Sequence, residues 1–202
     1  MKIDFDNLPR RECYQLMTGI ILPRPIAWVS TVGEDGIFNL APFSFFTGIT
    51  SKPPILCLSI GSRRGRQKDT LRNIESTKDF VVNVVDETLA ERMNQTSAEY
   101  PSYVSEFKET GLTPLPSDKV RSPRVAESPI NMECELLKIL EFGENPNTTS
   151  LIIGQIVRAH VKDALLRDGT IDISKLKLIG RLGDDLYCRT QDVFEMKRPG
   201  SP

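Results

Sequence analysis

Arg24-Pro25-Ile26-Ala27-Trp28-Val29-Ser30-Thr31 ends an apolar strand in two hydroxyls, and Asn39-Leu40-Ala41-Pro42-Phe43-Ser44-Phe45-Phe46 follows it after the turn Gly33-Glu34-Asp35-Gly36. The second segment alternates small, polar and aromatic residues. Such a pair suits a flat, ring-shaped ligand with an anionic tail: aromatics give apolar walls, while hydroxyls and backbone N–H groups supply donors. Taken singly, its residues read more plainly. Trp28 shares one face of a period-2 strand with Ile26 and Ser30, where core residues sit, and Phe43, Phe45 and Phe46 also suit a core. Asn39, Ser44 and Thr47 among them need hydrogen-bond partners, and a ligand is one such partner.

Outward from this stretch, β signals dominate. Ile26 to Val32 and Ile37 to Leu40 read as strands, Pro53-Pro54 opens another at Ile55 to Ile60, and Phe80 to Val85 is short and β-branched. Asn131 to Leu140, Leu151 to Val161 and Leu186 to Arg189 follow, and Gly154 inside the second of these predicts a bulge or a close backbone approach. Helical signals cover Leu8 to Met17, Leu71 to Ser76 with Asp69 or Thr70 as cap, Glu87 to Asn94, and a short turn near Val104 to Glu109. The proline-bearing excursion from Ser97 to Glu127 is either a lid or a contact with a second subunit. Neither a linker nor a repeat breaks the chain, so residues 1–202 are expected to form one mainly-β barrel with a few peripheral helices.

Gly61-Ser62-Arg63-Arg64-Gly65-Arg66-Gln67-Lys68-Asp69-Thr70 places four cations directly before a helix start. Amides at a helix N-terminus, reinforced by Arg or Lys, make a phosphate site. A solvated charged turn has the same composition. The glycines do not fit a P-loop or G-x-G-x-x-G, so no Rossmann fold is indicated.

The bulk numbers exclude more than they assign. At 202 residues, 39% hydrophobic and 26% charged, the chain can bury one sizeable core. A net charge of -1 predicts no nucleic-acid footprint, and the apolar runs are too short to cross a bilayer. The acidic start Met1 to Asp6 lacks the apolar stretch of a signal peptide, so a cytoplasmic location is expected. Cys13, Cys57, Cys134 and Cys188 are scattered and read as reduced thiols, and with one histidine no metal site is expected. His160 ends a strand, an ordinary structural position that leaves a substrate contact open. No Ser-His-Asp or Cys-His set can be assembled, so a cofactor is expected to carry any chemistry.

Together, Arg24 to Thr31, Asn39 to Phe46, Pro53-Pro54, Lys68-Asp69-Thr70 with Asn73-Ile74, Phe80 to Val84, Gly154 to Val157 with His160-Val161, and Gly180 to Gly183 with Tyr187 resemble the flavin reductase-like family with its FMN-binding split barrel. The flavoredoxin-like branch is the nearest, and the likeness runs from about Arg10 to Pro199. It implies a homodimer with FMN near the subunit interface. Trp28, Ser30 and Thr31 would lie near the flavin, and Asn39, Ala41, Pro42, Phe43 and Ser44 would line its ring, with the Ala41 to Ser44 amides as donors. Ser59, Gly61, Lys68, Asp69 and Thr70 would approach the ribityl-phosphate. The resemblance further implies NAD(P)H as electron donor and either a partner oxygenase or, for a flavoredoxin-like carrier with tightly held FMN, a protein donor. Many two-component members carry Gly-Asp-His where Asn147-Thr148-Thr149 stands here, which leaves His160 as the side chain for nicotinamide contact. Asp184 stands where the branch usually has glycine, and an Asp can adopt the left-handed backbone a glycine provides.

Overall fold

The computed structural model describes residues 1–62 and 64–200. Arg63 of the cationic turn lies outside the described residues. Strands β1 (Ala27–Val32), β2 (Phe38–Phe43), β3 (Phe46–Ser51), β4 (Pro54–Gly61) and β5 (Asp79–Asn83) precede the two-residue strands β6 (Pro114–Leu115) and β7 (Arg124–Val125). The long strands β8 (Ile130–Phe142) and β9 (Thr149–Val161) follow, and then four short ones: β10 (Leu166–Arg167), β11 (Thr170–Ile171), β12 (Ile179–Arg181) and β13 (Tyr187–Arg189). The helices are α1 (Arg10–Ile20), α2 (Asp69–Thr77), α3 (Ala90–Gln95) and α4 (Glu106–Glu109).

Seven strands form one antiparallel sheet in the order β2-β1-β5-β8-β9-β4-β3. Its two edge strands, β2 and β3, are consecutive in the chain and joined only by Ser44 and Phe45. The ends of the sheet must therefore meet, and it curls into a barrel that is split where no ladder joins β2 to β3. This is the expected split barrel.

β1 shows how the barrel is filled, because all six of its residues are buried. Ala27 and Val29 point into the barrel with Leu56, Leu58, Ile60, Phe80 and Ile152. Trp28 points outward, into a second core with Leu40, Leu89, Met93 and Phe107. Alternation along one strand thus feeds two cores, each large side chain contributing about 1.5–3 kcal/mol. The sandwiched strand carries apolar residues at both parities, which is why it reads as a continuous run.

α2 plugs one end of the barrel with Leu71 and Ile74, and ends where Lys78 adopts φ 63° and gives its amide to Ile74 O. The expected Asp69 or Thr70 cap is not formed. Lys68 is the N-cap and makes no side-chain cap bond; Asp69 is the first helical residue and pairs with Arg72 at 2.6 Å. β3 has no counterpart among the expected strands: five of its six residues are exposed, so alternation never shows.

Gly154 is a close approach: a Cβ there would sit 2.5 Å from Phe80 Cζ. Asp184 takes φ 48°, the left-handed conformation expected of it. Among the described residues no helix is long and apolar enough to cross a membrane.

Candidate functional site

A cleft of about 690 Å³ opens beside the N-terminus of α2. One wall is the edge strand β2, through Asn39, Ala41 and Pro42; the second is the cationic turn and first helical turn, through Arg64, Arg66, Lys68, Asp69, Thr70 and Arg72. The third is the segment from Thr96 to Ser102, with Glu106 set behind it. The volume is that of a small-molecule site.

The described residues of the turn rest against the 146–148 segment. Ser62 donates from its amide to Thr148 O at 2.8 Å and from its hydroxyl to Pro146 O at 2.9 Å, bracing the turn on the β8–β9 hairpin. Gly65 lies at φ 73° with Pro146 against it, where a Cβ would approach to 3.0 Å. Lys68 Nζ lies 5.2 Å from the centre of the Phe43 ring. Arg64 reaches Glu99 across the cleft at 3.9 Å, joining the turn to the third wall. Nearby, Asn39 donates to Thr70 Oγ1 at 3.0 Å, tying β2 to α2.

Of the residues singled out from sequence, Asn39, Ala41, Pro42, Lys68, Asp69 and Thr70 line this cleft. Phe43, Ser44, Ser59 and Gly61 are near it in the chain but outside its lining: Phe43 is buried beneath Lys68, Ser44 accepts from Arg24 Nε at 3.3 Å, Ser59 donates its amide to Phe45 O, and Gly61 pairs with Thr149 ahead of the turn.

Trp28, Ser30 and Thr31 are buried in the framework behind it. Trp28 Nε1 donates to Thr96 Oγ1 at 2.9 Å, supporting the third wall from inside. Ser30 donates to Pro123 O and accepts from Asn83 on the outer face, while Thr31 accepts from Asn73 on the inner face. Consecutive strand residues face opposite sides of the sheet, so these two hydroxyls are not brought to one ligand.

Of the amide donors expected from Ala41 to Ser44, those within β2, Ala41 to Phe43, need correction. Leu40 N–H points away from β1 and is accepted by Glu106 Oε2 at 3.0 Å. By the alternation of an antiparallel ladder, the amides of Asn39, Ala41 and Phe43 then turn toward β1, and Pro42 has none. This wall offers side chains and outer-edge carbonyls instead.

His160 is not brought to the cleft. Thr149 pairs with Gly61 beside the turn, and His160 lies eleven positions further along β9, roughly 35 Å at about 3.3 Å per residue. There its Nε2 meets Glu133 Oε1 at 2.5 Å. The fully buried Glu133 also accepts the amides of Asp118 and Lys119, and Asp118 pairs with Arg158 at 2.7 Å. Burial raises the Glu133 pKa, but those amides and His160 outweigh it and leave it lowered overall. The cluster holds Asp118 and Lys119 in place.

Two residues, Glu106 and Arg24, escaped sequence reasoning. Glu106 is buried, and burial pushes its carboxyl up to about 7, with the charge of Asp69 adding to the rise. Of the 97–127 excursion, expected as a lid or a subunit contact, residues 97–102 line the cleft. Arg24, 4% exposed, donates to Thr18 O, Ile21 O and Leu182 O. Burial lowers its pKa, yet guanidinium stays charged, and it gathers α1, the 182 turn and Ser44 around one cation. For Glu106 alone a local signal existed: an acid opening a short helix in a chain segment rich in prolines.

Residues 18–174 match the flavin reductase like domain. An uncharacterized protein of Halalkalibacterium halodurans is 39% identical over 202 residues, which span 98% of this chain and 97% of that protein. The crystal structure of nitrilotriacetate monooxygenase component B from Bacillus cereus superposes with a TM-score of 0.93 at 35% identity, covering 97% of this chain and 98% of that one. The 2-nitrobenzoate 2-nitroreductase NbaA of Pseudomonas fluorescens gives a TM-score of 0.90 at 33% identity, with 99% and 97% covered.

Proposed function

Because the chain belongs to the flavin reductase-like family, we propose that it is an FMN-binding oxidoreductase that takes a hydride from NAD(P)H and supplies electrons to a partner oxygenase. One observation carries the reading: a cleft of cofactor size where a helix N-terminus and cations meet an edge strand bearing Asn39, Ala41 and Pro42.

The donor set fits FMN. A phosphate group is matched by Lys68, Arg66 and the first amides of α2, which have no intrahelical partner. Asn39 and Thr70 present an amide and a hydroxyl suited to a ribityl chain, and Ala41 with Pro42 gives the ring a small apolar seat. When bound, FMN supplies hydride acceptance and onward electron transfer. The chain's own part is binding and orientation, which agrees with the absence of an acid–base pair at the β2 wall among the described residues. The partner oxygenase rests on the likeness to component B of a monooxygenase.

We further propose a cytoplasmic homodimer. Tyr14, Met17 and Ile20 stand exposed on α1, and β3 is an open sheet edge bearing exposed Ile49, features that a second copy would cover.

Flavin-dependent oxidation of NADH or NADPH by the purified protein, with added FMN, tests the reading. Consumption of either nicotinamide that depends on both protein and FMN is expected. No consumption with either, by protein that binds FMN, would replace the reductase with a flavoredoxin-like electron carrier.

A further inference from the structure

Glu106 stands apart from the other charged groups of the cleft. The cations lie on its outer rim, whereas Glu106 is 7% exposed and sits where the third wall meets β2. Its Oε2 accepts the amide of Leu40, an edge-strand N–H that no neighbouring strand can satisfy. The carboxyl also accepts its own backbone amide. Those two contacts need only an acceptor, which a glutamine oxygen would supply equally well; they do not explain why a titratable group should stand at the back of a ligand cleft.

Facing Glu106 are Asp69 and Arg72 of α2, Arg64, Arg66 and Lys68 of the turn, and Glu99 of the 96–102 wall; the phenol of Tyr100 lies on that wall too, and the β2 wall residues are uncharged. Asp69 pairs with Arg72 at 2.6 Å, yet its charge still raises the Glu106 carboxyl, and Arg64 lies 3.9 Å from Glu99. An incoming phosphate ester adds negative charge to this balance and removes water from around Glu106. Both changes disfavour the carboxylate.

We propose that Glu106 is a proton-coupled binding residue of the cleft: when FMN binds, Glu106 takes a proton from solvent and its carboxylic acid faces the ligand as a hydrogen-bond donor. The proposal rests on the reading of this cleft as the FMN site. Oε2 keeps the Leu40 amide, so the proton resides on Oε1. Since burial already places the group near neutrality, at about 7, uptake falls in the physiological range. Binding is then strongest at low pH and weakens as pH rises through 7, by up to about tenfold in Kd per pH unit for one linked proton.

Isothermal titration of the protein with FMN, in pairs of buffers that differ in ionisation enthalpy, counts the protons. At pH 7 the wild type should take up about half a proton, because the free carboxyl is then half protonated. Uptake should vanish toward pH 5, where Glu106 is protonated beforehand. Glu106→Gln keeps an acceptor for Leu40 and should bind FMN without that uptake. The phosphate of FMN would contribute with the opposite sign, since nearby cations favour its dianion and release a proton. Binding with no uptake in the wild type, or uptake unchanged by Glu106→Gln, overturns the proposal and leaves FMN in the cleft. Failure of FMN to bind wild-type protein overturns the FMN reading and the proposal together. Should Glu106→Gln not fold, the wild-type pH profile decides: uptake that rises from near zero at pH 5 through about half a proton at pH 7 and peaks above pH 7 supports the proposal, and a flat profile refutes it.

Discussion

Lys68→Ala isolates the phosphate half of the site. Lys68 is the N-cap of α2 but makes no side-chain cap bond, so its removal uncovers no amide. Its Nζ hangs over the Phe43 ring at 5.2 Å. Losing that contact costs about 0.5–1 kcal/mol of folding stability. A hydrogen bond from ammonium to phosphate is worth about 1.5–3 kcal/mol. Lys68 is half-buried and Arg64, Arg66 and Arg72 remain, so the lower figure applies, about tenfold in Kd. Fluorescence titration with FMN and, in parallel, riboflavin reads the effect. FMN should bind about tenfold more weakly to the variant, and riboflavin, which lacks the phosphate, should bind both proteins alike. Equal weakening of both ligands would move Lys68 to the ring or the fold, and unchanged FMN affinity would remove the phosphate from this turn.

Three further outcomes follow from the packing. Gly154→Ala pushes a methyl into the Phe80 ring, whose nearest carbons would lie at 2.5 and 2.8 Å; a loss of about 1–3 kcal/mol is expected in urea denaturation. Asn83→Ala strips partners from the buried Val125 amide and Asn131 side chain and from Ser30, so about 3 kcal/mol or more should be lost by the same assay. Glu106 binds more protons folded than unfolded between its ordinary value of 4.5 and about 7, so it weakens the fold as pH rises across that window; Glu106→Gln should gain up to about 3 kcal/mol at pH 8 and nothing at pH 4 in pH-dependent melting.

The framework was legible because its strands carry strong apolar runs. Ala27 to Val32 and Ile55 to Ile60 are buried on both or alternate faces, and each appears as a strand within a residue or two. β3 was not legible, since Phe46-Thr47-Gly48-Ile49-Thr50-Ser51 lies at an exposed edge where no core imposes alternation. The cationic turn and Asn39 to Pro42 were readable as a ring-and-anion site because both halves lie in short, continuous stretches. Glu106 was not, for it reaches the cleft only through the fold, whereas the 97–127 excursion was readable only as a choice between lid and subunit contact. Arg24 shows the same limit: its partner Leu182 lies 158 positions away. Ser30, Thr31 and His160 show the converse, chemically suggestive residues whose buried partners Pro123, Asn73 and Glu133 use their polar atoms for the framework.

The central claim, a nicotinamide-fed flavin in this cleft, is tested most directly by anaerobic stopped-flow mixing of the FMN-loaded protein with NADH and, separately, NADPH. The account predicts rapid loss of the flavin's visible absorbance with at least one of them. Persistent yellow with both would contradict it.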